Sequence, residues 1–133
     1  MRRHRRVTLT RAPDAGRQAR QLVATACADW RIAGVESDAE IVATELVENT
    51  LQHTTSVPQL GLLLQEGELT VAVSDDGPAA RFLADTRSRH RQGLGTLLVS
   101  RLAKTWGCTR AGKGKTVWAV LPASTLTRGD HAW

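Results

Sequence analysis

The sequence predicts an α+β fold, a two-layer α/β sandwich with helices on one face of a mixed, mainly antiparallel sheet. Three observations lead there. Two segments before residue 54 carry apolar residues at helical spacing. Two short apolar runs around a Gly-containing connection then read as a β-hairpin. A further helical run and one last apolar strand complete the order helix, helix, hairpin, helix, strand.

Taken in order, Val7 to Thr10 alternates apolar with polar and reads as a short edge strand, broken by Ala12-Pro13-Asp14-Ala15-Gly16. Leu22, Val23, Ala26, Cys27 and Trp30 give one apolar face to a helix from about Arg17 to Trp30, with Gly34 closing the segment. Ser37-Asp38-Ala39-Glu40 has the form of a capping box, in which Ser37 accepts from the Glu40 N–H and Glu40 reaches back. It opens a central helix that runs to about His53, and 54–58 is a loop. Leu60 to Leu64 and Leu69 to Val73 form the hairpin, joined through Gln65-Glu66-Gly67-Glu68. Ser74-Asp75-Asp76-Gly77-Pro78 is a turn signal with two carboxylates. Residues 81–92 are polar and basic, with Arg87, Arg89, His90 and Arg91 close together, and read as a loop. Gly93-Leu94-Gly95-Thr96 leads into a third helix with Leu97, Leu98, Val99, Leu102, Ala103 and Trp106 as apolar positions, ended by Gly107. Gly112-Lys113-Gly114-Lys115 is a turn, and Thr116 to Leu121 is the final strand before Pro122. The expected organisation is a basic tail or edge strand over 1–10, a single domain over 11–123, and a C-terminal tail over 124–133.

Composition narrows the function classes. A chain of 133 residues with 41% hydrophobic content suits one compact domain. No apolar run reaches the roughly 18 residues of a membrane span. Arg2, Arg3, Arg5 and Arg6 are followed by no apolar stretch of the secretory kind, so a cytoplasmic location is expected. Cys27 and Cys108 show neither CxxC spacing nor a metal-binding set around them and read as small buried thiols. The net charge is +5, but removing the four arginines of the first six residues leaves +1. A basic tail without a recognition helix or aromatic stacking platform argues against direct nucleic-acid binding; there is no tyrosine and one phenylalanine.

The chemistry concentrates in Glu45-Leu46-Val47-Glu48-Asn49-Thr50-Leu51-Gln52-His53. Glu45, Asn49 and His53 lie four residues apart and form one polar stripe on the central helix. Solvent-facing residues of an ordinary amphipathic helix recur the same way. Asn, however, is a mediocre helix former, and its amide oxygen is a neutral ligand suited to magnesium, which binds few protein oxygens and keeps waters and phosphate oxygens. A glutamate one turn earlier could orient a nucleophile towards that phosphate. His53 either contacts phosphate or favours the helix C-terminal dipole. A carboxylate at Asp75 is an acceptor that is never a donor at pH 7, and a turn-forming Asp is the other reading. Gly93 and Gly95 would let backbone N–H groups approach phosphate at a helix start, and a plain loop-to-helix turn explains them as well.

Together these motifs resemble, over about residues 15–121, the ATP-binding domain shared by gyrase, the large heat-shock chaperone, histidine kinases and mismatch-repair ATPases. Within that group the chain is most similar to the small bacterial anti-sigma factor serine kinases. ELVENTLQH matches the N box, and the resemblance makes Glu45 the base and Asn49 the magnesium ligand. Asp75-Asp76-Gly77-Pro78 matches the first glycine box, with Asp75 on the adenine amine. Gly93-Leu94-Gly95, with a helix ending at Trp106-Gly107, resembles the second box. Gly114-Lys115-Thr116-Val117-Trp118 resembles the last strand, where Thr116 would support the adenine pocket. The resemblance implies the Bergerat ATP-binding fold, with ATP and Mg2+ as cofactors. It further implies Asn49, His53, Asp75, Gly77, Gly93, Gly95 and Thr116 around the nucleotide, and Glu45 as the catalytic group. A sigma factor and an anti-sigma antagonist are the implied partners, the latter phosphorylated on serine or threonine, and the implied assembly is a homodimer. Arg87, Arg89 and Arg91 would serve as a lid that compensates triphosphate charge, or simply form a solvated basic loop. Two positions depart from the pattern: Ala79 stands where the family usually has a glycine and Thr96 where it usually has leucine. A methyl group at a position of close backbone approach weakens binding, so an ATP-binding interaction module without kinase activity is the alternative.

Overall fold

The computed structural model describes residues 2–75, 94–111 and 114–125. Its elements in chain order are β1 (Arg2–Thr8), α1 (Ala15–Trp30), β2 (Ile32–Ala33), α2 (Glu36–His53), β3 (Gln59–Gln65), β4 (Glu68–Asp75), α3 (Leu94–Leu102), β5 (Thr105–Ala111), β6 (Gly114–Pro122) and β7 (Ser124–Thr125). Five strands form one sheet in the order β1-β3-β4-β6-β5, and every neighbouring pair is antiparallel. The fold is therefore α+β as expected, with a purely antiparallel sheet among the described strands in place of a mixed one. β2 and β7 pair separately.

Alternation along the strands decides which sheet face is covered. Leu60, Leu62 and Leu64 of β3, Leu69, Val71 and Val73 of β4, and Val117, Ala119 and Leu121 of β6 are all buried. They lie opposite one another in register and so share a face. The helices pack on that face. α2 lies across β4 and β6, with α1 on one flank and α3 against it as well. The α1–α2 contact is close because it is built from small residues: Ala15, Gly16, Ala19 and Ala26 of α1 are buried, as are Ala39 and Ala43 of α2. A Cβ on Gly16 would sit 3.4 Å from Glu48 Oε2 and 3.5 Å from Thr44 Cγ2.

The first residues form a full strand, where the alternation had suggested only 7–10. Arg2 to Thr8 pairs residue by residue with Gln65 to Gln59 of β3. Arg5 anchors it, its guanidinium 5.3 Å from the Trp30 ring centroid and 3.1 Å from an Asp29 carboxylate oxygen. The cluster of arginines belongs to the edge of the sheet, where charge discourages further strand pairing.

Two boundaries differ for local reasons. The capping box at Ser37 does not form: Glu36 is already helical, Val35 is the N-cap, and no side chain caps the end. α1 ends on Arg31 in the left-handed region (φ 57°), whose N–H reaches the carbonyls of Ala28 and Cys27, ahead of Gly34. The larger correction concerns 103–111. The helix expected to run through Trp106 and stop at Gly107 ends at Leu102, and Trp106 and Gly107 lie inside β5. An apolar run without proline fits either period, and here the pairing with β6 prevails. Gly107 is needed in that strand because a Cβ there would come within 3.0 Å of the Trp118 ring, which lies directly across the ladder.

The β3–β4 hairpin turns through Glu66 (φ 52°) and Gly67 (φ 77°), a two-residue loop with both central residues left-handed. Glutamate is a poor residue for the first of these positions and Asn a good one. Glu66→Asn is expected to stabilise the protein by about 0.5–1 kcal/mol, seen as a higher urea midpoint at unchanged slope.

Candidate functional site

α2 presents its polar stripe on one flank. Thr44 and Glu40 face α1, where Arg20 Nη1 lies 3.4 Å from Thr44 Oγ1. Glu45 and Asn49 follow one turn apart on the same helix, and both are half-buried. The helix is held firmly below them. Thr50 Oγ1 donates to the Leu46 carbonyl at 3.1 Å, and Arg11 donates to the carbonyls of Leu51 (3.0 Å) and Ser56 (2.8 Å), placing a cation at the C-terminal end of the helix. His53 is the last residue of α2, and its side chain lies outside the described residues.

Glu45 lines an open groove of about 540 Å³ with Arg20, Ser37, Glu40, Ile41, Thr44 and Glu48. Its carboxyl is held above the ordinary glutamate range, first by burial and then by the neighbouring Glu48 charge. Glu40 is raised as well, by burial first and then by its hydrogen bond and repulsion with Glu36, while Arg20 works against the shift. A raised, partly solvated carboxylate is a better proton acceptor than an exposed one.

Asp75 ends β4 on the helix-covered side of the sheet, directly opposite Lys115 of β6. The ammonium of Lys115 lies 2.9 Å from one carboxylate oxygen of Asp75 and 3.0 Å from the other. Both side chains are removed from water, Lys115 at 1% exposure and Asp75 at 0%. A hollow of about 450 Å³ borders this end of the sheet, lined by Ser56, Val57, Gln59, Ser74 and Asp75. The loop that leaves α2 thus meets the end of β4, which sets the C-terminal half of α2 and Asp75 at the same end of the molecule. The carboxylate itself has no exposed surface, so a base reaches it only by displacing what covers it.

Strand alternation separates Thr116 from this pair. Thr116 points to the other sheet face, where its hydroxyl lies 2.9 Å from that of Ser74, its partner across the ladder. The residue that shares a side with Asp75 is Lys115, which the motif reading passed over as part of a turn. A signal was available: Lys115 falls in phase with Val117, Ala119 and Leu121, and a lysine in the buried phase of a strand calls for a partner. Gly95 and Thr96 lie in the first turn of α3. Gly77, Ala79, Gly93 and the arginines of 81–92 lie outside the described residues.

The donor set suits a small hard cation only in part. Asn49 offers one amide oxygen, and among the described residues no group of three or more His, Cys, Asp or Glu side chains could hold a metal. A magnesium ion at Asn49 would therefore be held largely by phosphate oxygens and water, as that ion commonly is. Burial, then the charges of Glu36 and Glu40, push the Cys27 thiol up to about 11, which leaves it protonated and unreactive. Among the described residues, no helix is long and apolar enough to cross a membrane.

No family model matches the chain, and no curated protein matches it in sequence. Among solved structures it is similar to the crystal structure of the RsbU and RsbW domains of Rv1364c from Mycobacterium tuberculosis, with a TM-score of 0.65 at 18% identity. The match covers 95% of this chain and 34% of that one, so the chain spans about a third of the neighbour's length. At that identity the likeness establishes the fold, an antiparallel sheet with helices packed on it.

Proposed function

We propose that this chain is an ATP-binding regulatory protein that acts as an anti-sigma factor and a serine/threonine protein kinase, phosphorylating an anti-sigma antagonist with Mg-ATP. The observation that carries the reading is the placement of Glu45 and Asn49 on one flank of α2, one turn apart and half-buried, on a fold shared with a structure that contains an RsbW domain. In this reading Asn49 holds magnesium through its amide oxygen, Asp75 accepts from the adenine amine, and Glu45 takes the proton of the attacking hydroxyl. Magnesium supplies charge neutralisation on the phosphates, and phosphoryl transfer needs little more from a protein than positioning and electrostatics. The backbone of Gly77, Gly93 and Gly95 would approach the phosphates, with His53 beside them. Thr116 would support the strand pair beneath the base through Ser74 rather than meet the base. A sigma factor, an antagonist and a second copy of the chain are the proposed partners.

A second reading is favoured by one observation. The Asp75 side chain has no exposed surface and both its oxygens lie within 3.0 Å of the Lys115 ammonium, which suits a domain that serves mainly to bind partners and transfers nothing. Labelled ATP incubated with the protein and its co-purified partners decides between the two. Label on a bound partner's serine or threonine is the result expected. If no label reaches any partner that the protein demonstrably binds, the kinase reading fails and the interaction module replaces it.

A further inference from the structure

We propose that β1 is a docking edge for an extended, acidic segment of a partner protein, which adds to the sheet as a further strand and sets a carboxylate beside each of Arg2, His4 and Arg6. β1 closes one end of the strand order, and among the described residues no strand pairs with its outer side. Every second residue of such an edge turns its backbone N–H and carbonyl away from the sheet, available for pairing. β1 matches β3 residue for residue, without a bulge, and contains no proline, so charge is what guards it. Its five residues from Arg2 to Arg6 are all basic. Guarding an edge against self-pairing needs far less: β5, the opposite edge of the same sheet, carries a single charged residue, Arg110.

Alternation divides this charge between two faces. Arg5 turns to the helix side, where Asp29 and the Trp30 ring hold it. Arg2, His4 and Arg6 share the other face, are exposed, and make no ion pair among the described residues. They border an open hollow of about 320 Å³ that Gly61, Leu63 and Ala72 also line. Side chains on one face of a strand repeat roughly every 7 Å, which is also the repeat of alternate side chains on an added strand, so the three basic groups meet carboxylates one to one. The other phase selects differently. A carboxylate opposite Arg5 would also meet Asp29, so the partner's acidic residues belong at every second position. A second copy of β1 would set arginine against arginine and is disfavoured by the same rule. A nucleic-acid strand would neutralise the arginines but offers no peptide backbone to continue the ladder.

Two labelled peptides matched in length to β1 test this by fluorescence anisotropy: one alternates Glu and Thr, and the other carries the same residues in two blocks. The protein is expected to bind the alternating peptide about tenfold more tightly. Residue-resolved hydrogen exchange should then slow at every second amide of β1. Arg2→Glu combined with Arg6→Glu should abolish the preference and transfer it to a peptide that alternates Lys and Thr. Should that variant fail to fold, as circular dichroism would report, Arg2→Gln combined with Arg6→Gln carries the comparison and should bind the two acidic peptides alike. Equal affinity of the parent for the two acidic peptides overturns the proposal, since a solvated basic patch responds to charge and not to its spacing. So does protection that falls outside β1. Oligothymidylate that binds more tightly than the alternating peptide would assign the surface to single-stranded nucleic acid and overturn it as well. None of these readouts involves nucleotide, so their outcome is independent of whether ATP binds.

Discussion

Glu45→Ala is expected to lose phosphoryl transfer by about 10²–10⁴-fold while holding its ATP affinity within a few-fold, because a general base acts on the moving proton and contributes little to ground-state binding. Single-turnover transfer to a bound antagonist, set beside nucleotide calorimetry, separates the two effects. The pH profile adds a readout that a packing defect would not mimic. Glu45 is raised above the ordinary glutamate range by burial and by Glu48, so transfer should fall as the pH drops through a midpoint above that range. Glu48→Gln removes the repulsive neighbour and should move the midpoint down, with the plateau rate little changed. Linkage fixes the sign for stability. A carboxyl raised in the folded state contributes stability that is present below its unfolded value and lost as the pH rises through its folded value. Glu45→Gln, which cannot ionise, should flatten stability across that window. Transfer that survives in Glu45→Ala, or a midpoint that Glu48→Gln leaves in place, would remove Glu45 from the base role.

The parts of the fold that the chain announces most clearly are those with one unambiguous period. α2 and the β3–β4 hairpin emerge within a few residues of their observed ends because Val42, Leu46 and Val47 on the helix, and Leu60, Leu62, Leu69 and Val71 on the strands, each satisfy a single repeat. β1 is harder to see. Its exposed edge can carry arginine at nearly every position, and what makes it a strand is the partner β3, which no local pattern announces. The stretch from Leu102 to Ala111 fails for the opposite reason, since its apolar residues suit both periods and the choice falls to a long-range ladder with β6. The candidate site shows the same division. That Glu45 and Asn49 share one side of α2 follows from helical spacing, whereas the neighbour of Asp75 depends on the register between two strands 40 residues apart, and a shift of one residue would have put Thr116 there in place of Lys115.

That register also determines the largest stability effect expected in the sheet. Asp75→Leu removes the carboxylate 2.9 Å from the Lys115 ammonium at 1% exposure, and breaking a buried pair by removing one partner costs about 3–5 kcal/mol. Replacing the pair together is a different matter. Two charges taken out of water have already lost their hydration, and their mutual attraction only roughly repays that loss, so well-packed apolar residues of similar volume often do as well or better. Asp75→Leu combined with Lys115→Met should therefore recover to within about 1 kcal/mol of the parent or exceed it. Urea unfolding of the parent, the two single variants and the double variant closes the cycle, provided the slopes agree and the transition stays two-state. Strong non-additivity, with the double variant more stable than either single one, is the expected result. Additive losses would mean that the two side chains stabilise the protein through separate contacts and that the bridge contributes no coupling. A recovered double variant that also binds no nucleotide would indicate that this end of the sheet keeps its ion pair for recognition, since the fold itself would stand without it.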